Sequence, residues 1–217
     1  MHEPEETAEC CFDAWAAYDA RRARTRETSA KITGALVAAL EDVGLDERTL
    51  LDVGCGSGDL ALAAIARGAR GATGFDLGRG AIRTARSLAS ERGLADRVRF
   101  EVGDGAVVDL PRADVVTLNR VLCCYPQAEA LLANTLAAAG AIYAFTAPYD
   151  RGVRGVWNRI ATSVENGWYR LRARRFGGFR AFVHDLGAVD ERIRAAGFDP
   201  VRHERHGMWD VAIYARR

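Results

Sequence analysis

Between two segments of different periodicity the chain reads Asp52-Val53-Gly54-Cys55-Gly56-Ser57-Gly58. Three glycines at alternate positions allow a tight turn and let the backbone come close to a ligand. A dinucleotide fingerprint would have GxGxxG, but here the third glycine's position is Asp59. An acid at a helix N-terminus occupies the positive end that a pyrophosphate needs. No Lys follows the loop, so the Walker pattern fails as well. The loop therefore suits a ligand moiety without phosphate, such as a zwitterionic amino acid.

Three more polar residues fall at intervals that matter for such a ligand. Asp76 ends an apolar run 22 residues after Gly54, where a carboxylate can accept both hydroxyls of a ribose. Asp104, followed by Gly105, sits in a turn and can accept a proton from an adenine amino group. Asn119 ends another apolar run, where a ligand carboxylate or amine would lie. Polar groups at four strand ends would then converge on one crevice.

Candidates for acid–base work are fewer. His184, with Asp185 beside it, precedes a helical segment and could take a proton from an acceptor group; a polar residue near a helix start is the bland alternative. Tyr125 and Tyr149 each follow an apolar run and could touch a substrate. His203 and His206 fall on opposite faces of a strand and read as surface residues. Cys123-Cys124 precedes Pro126, which is the wrong order for a Pro-Cys nucleophile. The five cysteines, four of them in the adjacent pairs Cys10-Cys11 and Cys123-Cys124, lack CxxC spacing. They read as thiols in a reducing cytoplasm, with neither a disulfide framework nor a metal site expected.

The elements that must position these residues follow from hydrophobic period. Short apolar runs at 49–54, 72–77, 98–105, 113–119 and 140–148 read as buried strands, and helical periodicity fills 60–66, 81–92 and 126–139. This alternation predicts an α/β, Rossmann-like sheet, mostly parallel, with helices on both faces. Residues 12–43 read as one or two amphipathic helices, 153–175 as helical, 186–196 as a last helix, and 199–206 and 209–216 as two closing strands. The whole is a single domain: a helical cap (1–45), a core (46–150), an insert (151–180), and a C-terminal helix with two strands (181–217).

The 217 residues carry 30 basic and 29 acidic side chains, for a net charge of +1. That balance argues against a chain that grips nucleic acid through a global field. No apolar run is long enough to span a bilayer, and MHEPEETAECC has neither the basic nor the apolar region of a signal peptide. Lys31 is the sole lysine, which all but removes a Tyr-Lys hydride-transfer site. In the insert, Trp157, Ile160, Val164, Trp168 and Leu171 recur at helical spacing, followed by Arg170, Arg172, Arg174, Arg175 and Arg180. The first reading is a lid helix packing its stripe on the sheet; the second is a surface for an anionic, apolar acceptor or a membrane face; nucleic-acid binding is a third, to which the balanced global charge gives little support.

The pattern over 48–148 resembles the class I S-adenosylmethionine-dependent methyltransferases. The resemblance implies seven strands, the last antiparallel, and S-adenosylmethionine as cofactor. It places Gly54, Gly56 and Gly58 beside the methionine part, Asp76 at the ribose and Asp104 at the adenine. The implied cofactor set is Tyr18, Asp52, Gly54, Cys55, Gly56, Gly58, Asp76, Leu77, Asp104, Gly105 and Asn119. Trp15, Tyr18 and the stretch Arg22-Ala23-Arg24-Thr25-Arg26 are similar to magnesium-protoporphyrin O-methyltransferases. So are Val121-Leu122-Cys123-Cys124-Tyr125-Pro126 and Phe145-Thr146-Ala147-Pro148, although those enzymes have His where this chain has Cys124. The implied activity is methylation of a small-molecule acceptor, with oxygen expected as the accepting atom. Methylation of nitrogen, sulfur or carbon, or a non-catalytic binding role, stays open. Trp15 and Tyr18 are expected to close over the cofactor.

Overall fold

A computed structural model describes residues 23–176 and 178–217. The first described helix, α1 (Ala23–Val43), ends where Gly44, at φ 119°, returns its amide to the Leu40 carbonyl at 3.0 Å. Then β1 (Thr49–Val53), α2 (Asp59–Ala66), β2 (Gly71–Asp76), α3 (Arg79–Glu91), β3 (Val98–Val102) and β4 (Ala113–Asn119) alternate. They are followed by α4 (Ala128–Ala138), β5 (Ala139–Pro148), α5 (Gly152–Leu171), the short α6 (Ala173–Phe176) and α7 (Leu186–Ala195). A hairpin of β6 (Phe198–His206) and β7 (Trp209–Arg216) closes the chain.

One seven-stranded sheet runs in the order β3-β2-β1-β4-β5-β7-β6. All pairs from β3 to β5 are parallel, and β7 is antiparallel to both β5 and β6. This is the expected sheet, including its antiparallel last strand. The strand order reverses beside β1, which pairs β2 on one edge and β4 on the other, so the crevice of a doubly wound sheet opens there.

The alternation of the strands feeds two cores. Leu50, Val115, Ile142 and Ile213 face α1, α2 and α3, meeting Leu36, Leu40, Leu60 and Ile82. Leu51, Val116, Tyr143 and Tyr214 face the other way, onto Leu131 and Leu136 of α4 and Val189 and Ile193 of α7. Strands apolar on both faces are what a helix-covered parallel sheet requires. Edge strand β6 instead carries Arg202 and Glu204, paired with each other, and Arg202 also reaches Asp42 of α1. Such charges discourage pairing with another chain.

Several boundaries differ from those the sequence suggests. The third strand stops at Val102, because Asp104 accepts the Ala106 amide at 2.9 Å and forms a turn. The fourth helix begins at Ala128 rather than at Pro126, after a turn in which the Cys124 and Tyr125 amides both reach the Val121 carbonyl. The insert breaks at Arg172 into α5 and α6.

The insert also corrects the lid-helix reading in which its apolar stripe packs on the sheet. Trp157, Ile160, Val164 and Leu171 are exposed. The face of α5 turned toward the protein carries Gly155, Asn158, Asn166 and Tyr169 instead. Among the described residues, no helix is long and apolar enough to cross a membrane.

The buried pair Thr135 and Tyr143 joins α4 to β5, with their hydroxyl oxygens 2.8 Å apart, while Thr135 Oγ1 also donates to the Leu131 carbonyl at 2.7 Å. Tyr143→Phe is expected to lower stability by about 1 kcal/mol, the worth of one net hydrogen bond. Urea unfolding checks this; a change above about 3 kcal/mol would mean the ring itself had repacked.

Candidate active site

The glycine loop is laid along the end of β2. The Gly54 and Cys55 amides both donate to the Phe75 carbonyl, at 2.7 and 3.0 Å. Gly54 has φ 74°, and a Cβ there would lie 2.3 Å from Val121 Cγ2. Gly56 also has positive φ, but a Cβ on it would meet nothing within 4 Å among the described residues. The backbone at Gly56 thus borders open space. Gly58, at φ 80°, starts α2 without a side-chain cap.

Asp76 binds this loop to the next turn. Its Oδ2 accepts the Gly56 amide and its Oδ1 accepts the Gly78 amide, each at 2.8 Å. Asp52, the penultimate residue of β1 and just before the loop, is 1% exposed. Its Oδ1 accepts from Thr117 Oγ1 of β4 at 2.7 Å, and its Oδ2 is buried with no hydrogen-bond partner among the described residues. Burial pushes the Asp52 carboxyl up to about 7, and the neighbouring Asp76 and Asp59 charges add to this against the Thr117 bond.

Asp104 sits at the far side of β2. Its two oxygens take the Tyr125 hydroxyl, at 2.8 and 3.0 Å. Tyr125 is buried, and burial first, then Asp104, holds its phenol well above the ordinary range. The structure therefore places Tyr125 on the acid expected at the adenine, as a neutral donor. The adjacent Gly105 is packed so closely that a Cβ would lie 2.2 Å from Val53 Cγ1. Leu77, the residue after Asp76, packs against the α4–α7 core.

Asn119 ends β4 between two layers. Its Nδ2 donates to Thr33 Oγ1 of α1 at 2.9 Å, and its Oδ1 accepts from Thr146 Oγ1 of β5 at 2.9 Å. The next residue, Arg120, has φ 62°, strained for a residue with a side chain. Its amide donates to Thr146 Oγ1, while its guanidinium meets Ser29 Oγ of α1 and lies 5.6 Å from the Trp209 ring centre. Thr33, Thr117, Arg120 and Thr146 escape sequence reasoning, since their partners are 26 to 91 residues away.

The remaining candidates lie elsewhere. His184 Nε2 is 3.0 Å from the Tyr125 carbonyl oxygen, and its ring stacks on Phe182. A carbonyl only accepts, so Nε2 carries the proton. His184 lines an open groove of about 930 Å³ between α4 and α7, along with Pro126, Gln127 and Ala188. Asp185 caps α7, accepting the Gly187 and Ala188 amides at 2.8 and 3.2 Å. Tyr149 lies toward β6, under the Arg205 guanidinium at 4.2 Å from its ring centre. His203 Nε2 lies 3.1 Å from Asp210, and His206 is bonded to Glu204. Tyr18 and Trp15 lie outside the described residues, as do Cys10 and Cys11.

Neither of two thiols near the site is poised as a nucleophile. Burial raises the Cys55 thiol, and its contact with Cys123, then burial, raises Cys124. What the strand ends do supply is a recessed carboxylate, a braced glycine turn facing open space and two further acids. That set can receive a ligand rich in cationic and hydroxyl groups.

Residues 50–139 match a family model described as a methyltransferase domain. A ribosomal protein L11 methyltransferase of Pasteurella multocida is 41% identical over 80 residues, 37% of this chain and 27% of that protein. The chain thus spans about a quarter of that relative's length. The crystal structure of magnesium protoporphyrin IX methyltransferase from Synechocystis, with bound SAH, superposes with a TM-score of 0.76 at 20% identity, over 97% of this chain and 98% of that one. An S-adenosylmethionine-dependent methyltransferase from Mesorhizobium loti gives 0.63 at 16% identity, over 84% and 96%. Residues 50–139 thus carry a methyltransferase-domain match, and the fold of the chain is that of the class I S-adenosylmethionine-dependent methyltransferases. Within that fold it resembles the magnesium-protoporphyrin enzyme, which has been crystallised with S-adenosylmethionine as well as with SAH.

The residues present fit that cofactor on two observations: the unpartnered Asp52 Oδ2 and the uncovered Gly56 backbone. The raised Asp52 carboxyl gives a test without ligand. Between about pH 4 and 7 an unfolded chain ionises this group while the folded chain keeps its proton. Stability of the cofactor-free protein should therefore fall as pH rises through that window and level off above it. Asp52→Asn should flatten the fall, seen as urea midpoints that drift less than those of the parent. Parallel drifts in the two proteins would place the titration elsewhere.

Proposed function

We propose that this chain transfers the methyl group of S-adenosylmethionine to a small-molecule acceptor, with oxygen as the accepting atom. The observation that carries the reading is the glycine turn at the sheet's reversal point, tied to Asp76 at the end of β2 and set above the buried Asp52 at the end of β1, with Asp104 following the neighbouring strand β3. Asp76 would hold the ribose hydroxyls and Asp104, set by Tyr125, the adenine edge. Asp52 and Asn119 would face the amino-acid end, with Gly54, Cys55, Gly56 and Gly58 shaping the wall. The preference for oxygen rests on the likeness to magnesium-protoporphyrin enzymes in sequence and fold. The L11 relatives, matched over 27 to 49% of their own length, do not speak for the acceptor.

The cofactor supplies an activated methyl on a sulfonium, with a neutral thioether as the departing group. The chain's own residues then need to align the acceptor and exclude water. The acceptor's proton must leave before or during attack. His184 does not suit that work: with Nε2–H on the Tyr125 carbonyl its basic nitrogen is Nδ1, but the ring lines the α4–α7 groove, whose lining includes none of the glycine-turn residues, and Asp185 is spent on α7. We assign His184 to positioning, holding the 123–126 turn, and through it Tyr125, against the returning chain, where the Phe182 amide also meets the Cys123 carbonyl at 2.7 Å.

Two measurements follow. Asp76→Ala should weaken S-adenosylmethionine binding by calorimetry roughly 30- to 150-fold, for about 2–3 kcal/mol of charge-assisted hydrogen bonding lost. Wild-type affinity in a folded Asp76→Ala protein would remove the crevice from cofactor binding. His184→Ala should lower kcat by less than about tenfold and leave the shape of its pH profile unchanged. A loss of about 10²-fold or more, recovered at high pH, would restore His184 as the general base.

A further inference from the structure

Helix α5 is built inside out. At about 100° per residue, Gly155, Asn158, Asn166 and Tyr169 share one face, and that face is turned to the protein. Gly155 lies so near the Asp150 backbone that a Cβ would sit 2.1 Å from its carbonyl. Asn158 Nδ2 donates to the Tyr149 and Met208 carbonyls at 2.7 and 3.1 Å. Asn166 clamps Ala181 in both directions at 2.8 Å. Tyr169 packs edge-on to Phe179.

The opposite face is Val153, Trp157, Ile160, Val164 and Leu171, exposed by 75, 62, 50, 68 and 87%. This is a continuous apolar stripe about 27 Å long, with nothing in the chain packed on it among the described residues. Its flanks are basic. Arg154 and Arg172 lie along one side and Arg159 and Arg170 along the other, all exposed. From 151 to 183 the chain carries eight Arg and one acid, Glu165, a net charge of +7. The total is +1, so everything outside this segment sums to −6.

We propose that α5 docks the protein on an anionic lipid surface, lying in the plane of the interface with its apolar stripe among the acyl chains and its arginines at the headgroups. An apolar face bordered on both sides by cations is the form of an interfacial helix, and the polar anchors hold it in the orientation that presents that face. The polarised charge would orient the molecule, basic side first. A second copy is a poor fit to the same stripe. Pairing two α5 helices would bring four arginine flanks together with only one Glu165 from each. The inference does not rest on the methyl-transfer reading, since it concerns a face outside the crevice.

The test is co-sedimentation of the full chain with vesicles of phosphatidylcholine alone and of phosphatidylcholine with phosphatidylglycerol in equal parts. The expected result is binding to the anionic vesicles at least tenfold tighter than to the neutral ones, weakened steeply by salt. Ile160→Glu with Val164→Glu should abolish it, and Arg159→Glu with Arg170→Glu should weaken it at least tenfold. Unchanged thermal melting and S-adenosylmethionine affinity in these variants would show that they fold. Failure to sediment with either vesicle overturns the proposal, as does equal binding to both. So does a dimer in light scattering that the Ile160/Val164 variant dissociates while no vesicle binding is seen.

Discussion

The hydrogen bond from the Gly56 amide to the Asp76 carboxylate fixes the glycine turn to the end of β2, and the rest of the crevice is arranged around it. With the other oxygen on Gly78, one side chain ties the β1–α2 turn to the β2–α3 turn. The Gly54 and Cys55 amides on Phe75 add a second line of attachment. The loop is then committed to a shape that only residues without a Cβ tolerate at Gly54, and that starts α2 at Gly58. A hydroxyl arriving at Asp76 meets a carboxylate already engaged with the loop. On the proposed reading of Asp76, ligand binding and loop geometry would be coupled through one group, and a substitution there would report on both.

Much of this was legible in the sequence because it is local. A strand, a turn with alternating glycines and a helix are read within about 20 residues, and Asp76 and Asp104 fall at strand ends whose positions the apolar runs define. What stayed hidden is contact between distant segments. Tyr125 reads as an aromatic after a strand, yet its hydroxyl is spent on Asp104, 21 residues earlier. Asn119 reads as a strand end open to ligand, yet α1 reaches it through Thr33, 86 residues earlier. Arg120 carries no sequence signal of its left-handed backbone, which is usual for Gly or Asn but not for Arg. His184 shows the same limit: a helix-start His with an adjacent Asp fits a general base in sequence, and only the Tyr125 carbonyl assigns its proton.

The insert is the sharpest instance, because its period establishes a helix and leaves its sense open. A 3.6-residue repeat establishes that a helix has two unlike faces; it does not say which is inward. In α1 or α4 the apolar face finds the sheet. In α5 the decision falls to Asn158 and Asn166, whose partners are backbone groups at Tyr149, Met208 and Ala181 that exist only once the chain has folded.

This manner of attachment has a mechanical consequence. Side-chain-to-backbone hydrogen bonds at a few points, with the Tyr169–Phe179 contact, hold α5 where α2 and α4 are held by continuous apolar packing. Each such bond contributes about 1 kcal/mol net, and the outward face contributes no burial. The helix therefore belongs to the low end of the local stability range within the fold. The strand-end acids and the glycine turn are set on the rigid sheet, while the element after β5 can shift without opening either core. A rigid crevice with a lightly held, basic and apolar neighbour separates two demands. Holding the reacting groups needs fixed geometry, whereas meeting a surface needs an element that can adjust its depth and tilt.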